Sequence, residues 1–206
     1  MSTLTLFGQS LLIGFSIAAP VGPIGLLTIQ RSLNIGARAG LATGLGAACA
    51  DAVYGAVGAF GVAWLINALT SMRQPLAMLG GAYLLWMAYG LVRAPQTRDA
   101  AAATAASAGD WSYFSGTFVL TLANPATIFS FIAIFGSMAG SAGVVSPWTM
   151  VLGVLLGSAL WWFLLSGLVG RLRERFDARW RTRVSLLSAT ILAGFAVWQM
   201  VVALRT

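Results

Sequence analysis

Six long apolar stretches, separated by short polar connections, dominate the pattern of hydrophobic and polar positions along this chain. A helix needs about 20 mainly apolar residues to cross the roughly 30 Å hydrocarbon core of a bilayer. Each stretch is close to that length, and the connections leave no room for a separate soluble domain. The pattern therefore predicts an all-α integral membrane protein whose six transmembrane helices cover residues 6–29, 40–66, 75–92, 112–138, 147–170 and 184–204.

Proline interrupts the first and the fourth of these stretches about a dozen residues after each begins. The first break contains Pro20, Gly22 and Pro23, and the second is Asn124 followed by Pro125. Proline removes a backbone hydrogen bond that hydrocarbon cannot replace, so such breaks survive where they line a cavity enclosed by protein. Corresponding breaks in two halves of a chain are the best sequence indication of a transporter's binding site.

The number of stretches also predicts how the two halves are related. Three stretches precede the connection 94–110 and three follow it, so the second half begins on the opposite side of the membrane. We expect one transmembrane domain over residues 1–206, made of inverted three-helix halves at 1–93 and 111–206 and a mobile cytoplasmic linker at 94–110. Alternating access would follow from rocking of such halves about a site near the midplane. The alternative is two unrelated groups of helices with incidental kinks.

Positive charge is distributed unevenly along the chain, which has a net charge of +7. Ten arginines lie at the first, third and fifth connections, including Arg31, Arg38 and six within 171–183, whereas only Arg73 and Arg205 lie on the other side. Cytoplasmic connections carry such an excess. We therefore expect the odd-numbered connections in the cytoplasm, both termini outside, the 171–183 stretch against anionic lipid headgroups, and no nucleic-acid partner.

Several kinds of chemistry are absent from the sequence. The chain contains no histidine and a single cysteine, Cys49, which argues against a thiolate metal site or a disulfide framework. It also lacks the G-x-x-x-x-G-K-[ST] pattern of a phosphate-binding loop. The serines inside the apolar stretches, such as Ser158, have no evident partner that would activate them as nucleophiles. We expect no cofactor and no enzymatic activity, and we keep an assembly factor and a passive channel as alternatives to a carrier.

Asp51 is the only acidic residue inside an apolar stretch. An ionised carboxylate there costs at least about 2.5–3.5 kcal/mol, and such residues commonly face the bundle interior and mark proton or substrate pathways. Asp51 is therefore our candidate for proton coupling, and it could instead attract the ammonium group of a substrate. The alternative is a structural hydrogen bond, for example to a carbonyl group freed by Pro20 or Pro23.

The two breaks offer groups that complement Asp51. The half-helix that begins after Pro23 points its N-terminal amides toward the membrane interior, and their partial positive charge suits a carboxylate. Asn124 presents an amide donor and a carbonyl acceptor, with Thr121 and Thr127 nearby. Amides for a carboxylate, together with Asp51 for an ammonium group, describe a site for a zwitterion.

Small residues recur at four-residue spacing, which places them on one face of a helix. Such a face predicts close helix packing inside one subunit, with a homodimer interface as the alternative. The positions are Gly36, Gly40, Gly44, Ala48, Ala52 and Ala56 in the second stretch, and Gly153 and Gly157 in the fifth.

Several short runs carry a resemblance to a known family. They are Ala19-Pro20-Val21-Gly22-Pro23-Ile24-Gly25, Ile29-Gln30-Arg31-Ser32-Leu33, Gly36, Gly40-Leu41, Gly44 and Asp51-Ala52. Together they resemble the N-terminal signature of the LysE family of amino-acid exporters, and Asn124-Pro125 followed by an aromatic-rich run matches that family's second marker.

The resemblance implies a translocator of the bacterial inner membrane that expels amino acids or related small metabolites, in exchange for protons or driven by the membrane potential. By the same resemblance, the candidate functional positions are Pro20, Gly22, Pro23, Asp51, Asn124 and Pro125. The alternative is an efflux carrier for a metal or a small organic cation, for which one carboxylate without histidine is a thin set of ligands. A single intramembrane acid also gives little reason to assign lysine or arginine as the substrate.

Overall fold

A computed structural model describes residues 2–20, 22–60, 71–93, 98–124, 127–128, 130–131, 146–175 and 178–204. Throughout these ranges the regular elements are helices, so the prediction of an all-α protein is confirmed. In chain order they are α1 (Thr3–Ala18), α2 (Pro23–Asn34), α3 (Ala37–Ala59), α4 (Arg73–Arg93), α5 (Arg98–Leu122), α6 (Pro147–Leu172), a short 3-10 turn (Arg173–Arg175) and α7 (Ala178–Leu204).

Three of these helices contain a segment that is long and apolar enough to cross a membrane: Ala37–Ala59, Pro147–Leu172 and Thr182–Leu204. The helices α1 and α2 qualify together as one further span, bent by 77° at the break between them. The structure therefore supports an integral membrane protein with three or four clear spans. The full set of six spans and the inverted relation of the halves stay predictions.

Large apolar side chains cover the outer faces of the helices. On α6, Phe163, Leu164 and Leu168 are 62%, 50% and 59% exposed. Soluble monomers rarely expose wide apolar patches, because each exposed side chain forgoes the stabilisation of burial. A surrounding bilayer accommodates these faces without that loss.

The first break lies where the proline pair predicts it. The helix α1 ends at Ala18, and α2 begins with Pro23 at its first position. Proline suits that position because the first N–H groups of a helix have no partner within the helix. The predicted interruption of the first stretch is confirmed.

The second break follows the same logic in the other half of the chain. The helix α5 ends at Leu122, and Asn124 lies outside regular structure. The Ile128 N–H then donates to the Asn124 carbonyl at 3.2 Å, so helical hydrogen bonding resumes at once. The predicted break at Asn124 is confirmed, whereas Pro125 lies outside the described residues.

The connection 94–110, predicted to be a mobile cytoplasmic linker, contains regular structure in its described part. From Arg98 it is helical, because its run of alanines favours helix. Gly109 then interrupts the helix with φ +62°, a left-handed backbone conformation that glycine adopts without a steric penalty. The apolar part of α5 begins after this kink. The mobility and the cytoplasmic position of the connection stay predictions.

Glycines make the closest helix crossings. A Cβ added to Gly157 of α6 would overlap the Leu11 carbonyl oxygen of α1, and one added to Gly44 of α3 would overlap the Trp162 side chain. Gly40 packs in the same way against Ser32 of α2. Both predicted small-residue faces therefore contact helices of the same subunit. This confirms the expectation of close helix packing inside one subunit. The homodimer stays untested.

Alanine at position 157 should destabilise the protein. The added methyl group would force α1 and α6 apart, and overpacking of this kind lowers the free energy of unfolding by about 1–3 kcal/mol. Gly167→Ala on the same helix is the matched control, because a Cβ there meets nothing within 4 Å. Because alanine has a higher helix propensity than glycine, this control should leave the free energy of unfolding unchanged or raise it by up to about 1 kcal/mol. Thermal unfolding of the purified protein in detergent measures both, and equal midpoints would refute the tight crossing.

Candidate functional site

A cavity of about 250 Å³ lies where the two helix breaks meet. Its lining includes Pro20, Gly22 and Pro23 from the first break, Asn124 from the second, and Asp51 from α3. Five of the six residues singled out in the sequence therefore surround one space, and the sixth, Pro125, lies outside the described residues. The threonines noted beside the second break, Thr121 and Thr127, line the same cavity.

Asp51 lies in the cavity wall and is only 3% exposed. Its Oδ2 accepts a hydrogen bond of 2.7 Å from Ser158 Oγ, and Ser158 Oγ in turn accepts one of 3.1 Å from Trp162 Nε1. Ser158 and Trp162 are one turn apart on α6. The bond recorded for Asp51 is thus to a side chain of another helix, and not to a backbone carbonyl freed by Pro20 or Pro23.

The electrostatics of Asp51 are one-sided. Among the described side chains the only ion pair joins Arg38 and Asp110, so no cation of this part of the protein neutralises Asp51. A buried carboxylate is costly unless it is paired as well as hydrogen-bonded. The positive charge can come from a bound proton or from a cationic group of a solute in the cavity. The described ranges contain no group of three or more His, Cys, Asp or Glu side chains that could hold a metal ion.

The N-terminus of α2 forms another part of the cavity wall. Residues 22–25 all line the cavity, and Gly22 supplies no side-chain cap to the helix. The first-turn amides of Ile24 and Gly25 therefore lack a capping side chain, and the helix dipole adds partial positive charge at this end. Helix N-termini of this kind bind carboxylates and other anions. The cavity thus combines a positive wall at α2 with a negative one at Asp51.

Tyr54 joins α3 to the second break, a role that the sequence pattern did not reveal. Its hydroxyl donates a hydrogen bond of 2.6 Å to the Leu122 carbonyl oxygen, at the end of α5. Carbonyl groups at a helix C-terminus have no partner within the helix. The Tyr54 ring also stacks on Phe131, with the ring centroids 5.3 Å apart. The one available signal was the position of Tyr54 three residues after Asp51, on the same face of the helix.

Arg31, which the charge pattern counts at the first connection, has a buried side chain. It is only 7% exposed. Its Nη1 donates to Thr43 Oγ1 at 2.8 Å and to Thr117 Oγ1 at 3.3 Å, and its guanidinium carbon lies 4.6 Å from the centre of the Tyr113 ring. The charge pattern did not reveal this burial, because it depends on how far a residue lies from a predicted helix end and not on the direction of its side chain. Arg38, by contrast, is exposed as expected.

Comparison with known proteins gives matches over most of the chain. Residues 15–202 match the family described as LysE type translocator. The uncharacterized membrane protein YahN of Escherichia coli is 34% identical over 68% of this chain and 64% of its own length. The chemotactic transduction protein ChpE of Pseudomonas aeruginosa is 29% identical over 94% of this chain and 98% of its own.

A third relative carries a transport function in its name. The arginine exporter protein ArgO of Salmonella schwarzengrund is 24% identical over 92% of this chain and 88% of its own length. The alignment with YahN spans slightly less than two thirds of that protein, whereas those with ChpE and ArgO are nearly complete. No solved structure matches.

Removing the Tyr54 hydroxyl should destabilise the structure at the second break. Tyr54→Phe retains the ring that stacks on Phe131 but leaves the Leu122 carbonyl without its donor. We expect the free energy of unfolding to fall by about 1–2 kcal/mol. Tyr89→Phe is the control, because Tyr89 is 55% exposed on α4. Thermal unfolding in detergent compares them, and a Tyr54→Phe midpoint no lower than that of Tyr89→Phe would contradict this role.

Proposed function

The chain belongs to the family of LysE type translocators, and on that basis we propose that it is a secondary transporter that exports amino acids or related small metabolites from the cytoplasm across the bacterial inner membrane. The observation that carries the proposal is the cavity at the meeting of the two breaks, which has helix amides on one wall and a lone carboxylate on another. Its volume of about 250 Å³ suits a small solute.

The two walls match the two charges of an amino acid. The amides at the start of α2 would receive the carboxylate, and Asp51 would receive the ammonium group. Asn124, Thr121 and Thr127 add further polar groups to the cavity lining. An unpaired buried charge costs several kcal/mol more than a paired one, so a zwitterion in this cavity would relieve the cost of burying Asp51 alone.

Exchange for protons follows from the presence of a single acid. Asp51 is the only carboxylate among the described residues that line the cavity, so a proton and a substrate ammonium group would compete for it. A carrier in which two cations compete for one carboxylate releases one when it binds the other, which is the physical basis of antiport. The Ser158 hydroxyl would hold the carboxylate in place through this exchange.

Alternating access would move the two halves of the chain about this cavity. In the proposed arrangement, residues 1–93 and 111–206 are inverted repeats that each contribute one broken helix to the site. Support comes from the meeting of the two breaks and from hydrogen bonds between the halves, such as Ser158 to Asp51 and Tyr54 to Leu122. The first, third and fifth connections would face the cytoplasm, and both termini would lie outside.

Neutralising Asp51 should abolish transport. Asp51→Asn retains the size of the side chain and an oxygen that can accept from Ser158, but it removes the charge. In everted vesicles given a panel of labelled amino acids, we expect wild-type uptake of a subset and a loss of at least about tenfold in the variant. Asp110→Asn is the matched control, because Asp110 pairs with Arg38 in an exposed position where ion pairs contribute little.

The outcome of this experiment separates the remaining hypotheses. Selective uptake that is lost in Asp51→Asn and retained in Asp110→Asn supports the exporter. Uptake of metal or organic cations, without any amino acid, would replace it with the cation carrier. Uptake of neither class by a correctly inserted wild-type protein would refute the proposed function.

A further inference from the structure

A cluster of polar side chains surrounds the buried guanidinium of Arg31. Four helices contribute to it: Arg31 comes from α2, Thr43 from α3, Tyr83 from α4, and Tyr113 and Thr117 from α5. The two threonine hydroxyls accept hydrogen bonds from Nη1, the Tyr113 ring packs against the guanidinium, and Tyr83 interacts with it as well. We call these five residues the Arg31 cluster.

The Arg31 cluster has a surplus of positive charge and of hydrogen-bond donors. None of the described side chains gives Arg31 a carboxylate partner. The buried hydroxyl of Tyr113 has no hydrogen-bond partner in the described part of the chain, and neither has that of Thr28, one turn before Arg31 on α2. Buried polar groups without partners are rare in native proteins and require an explanation. An anion beside the guanidinium would supply the missing charge and an acceptor for the Tyr113 hydroxyl.

The position of the Arg31 cluster links it to the cavity. Arg31 lies eight residues after Pro23, and Thr43 lies eight residues before Asp51, so each helix separates cluster and cavity by about 12 Å. On α5 the distance between cluster and cavity is shorter, because Thr117 is one turn before the cavity residue Thr121. The Thr117 carbonyl accepts a hydrogen bond from the Thr121 hydroxyl. Along all three helices the cluster lies on the side of the first and third connections, which the charge pattern assigns to the cytoplasm.

We propose that the Arg31 cluster is a second anion-binding site, which receives the carboxylate of the transported solute between the cytoplasm and the cavity at Asp51. The inference rests on the proposed function. In the structure, Thr43 and Thr117 accept the hydrogen bonds of Nη1 in the absence of a solute. An incoming carboxylate would replace Thr117 as a partner of Nη1, and the Tyr113 hydroxyl would donate a hydrogen bond to it. The planar guanidinium would then be free to bind a carboxylate through two parallel hydrogen bonds.

Binding measurements with two matched ligands test the proposal. One ligand is an amino acid that the wild type transports, and the other is its carboxamide, which retains the ammonium group and the side chain but has no anionic group. With purified protein in lipid nanodiscs, we expect wild type to prefer the acid, and Arg31→Gln to lose at least about tenfold of that preference. Arg38→Gln, seven residues later and exposed, is the control and should retain the preference.

A purely structural role of Arg31 gives a different result. Damage to the fold would weaken the acid and the amide equally, leaving the preference unchanged, and that outcome would overturn the proposal. Tyr113→Phe provides a second test in a variant that loses no recorded hydrogen bond. It should weaken binding of the acid alone, and an unchanged ratio of the two affinities would also overturn the proposal. Failure of wild type to bind any amino acid would refute the proposed function instead.

Discussion

Hydrocarbon offers no hydrogen bonds, and the structure around the cavity depends on this constraint. A helix that breaks inside a membrane exposes amide and carbonyl groups that only the protein can satisfy. At the second break, Tyr54 supplies the donor for the Leu122 carbonyl. At the first, Pro23 removes one of the amides that would otherwise need a partner, and the next amides belong to residues that line the cavity. Because both breaks line the same cavity, the uncapped amides at the start of α2 become available to a solute there.

The same constraint applies more strongly to charge. Asp51 and Arg31 are both buried, and in both cases the recorded partners are hydroxyl groups of neighbouring helices and not opposite charges. If the two side chains had a purely structural role, we would expect them to pair with each other or each to have a permanent partner of opposite charge. Hydroxyl groups instead hold each side chain in place while leaving its charge to be neutralised by something else. For a carrier of zwitterions this arrangement is useful, because the cargo itself carries both missing charges.

The sequence was sufficient for the parts of the structure that local chemistry determines. Proline positions located both breaks, and small residues at four-residue spacing located the close crossings at Gly44 and Gly157. The hydrogen-bonding partners of Asp51 and Arg31 were not accessible in this way. Ser158 is 107 residues from Asp51, and Thr117 is 86 residues from Arg31, so only the tertiary packing of helices brings each pair together. The distribution of arginines likewise did not reveal that Arg31 is buried, because a one-dimensional pattern does not record which way a long side chain points.

Protection of introduced cysteines by substrate is the most direct test that the two breaks enclose one binding site. Gly22→Cys and Asn124→Cys, each in a Cys49→Ala background, place one thiol at each break, and Gly8→Cys in α1 is an exposed control outside the cavity. The rate of alkylation by a small thiol reagent would be measured with and without the transported amino acid. The account predicts slower alkylation at both breaks and no change at the control. Protection at neither break, or at only one of them, would contradict a single site built from both halves of the chain.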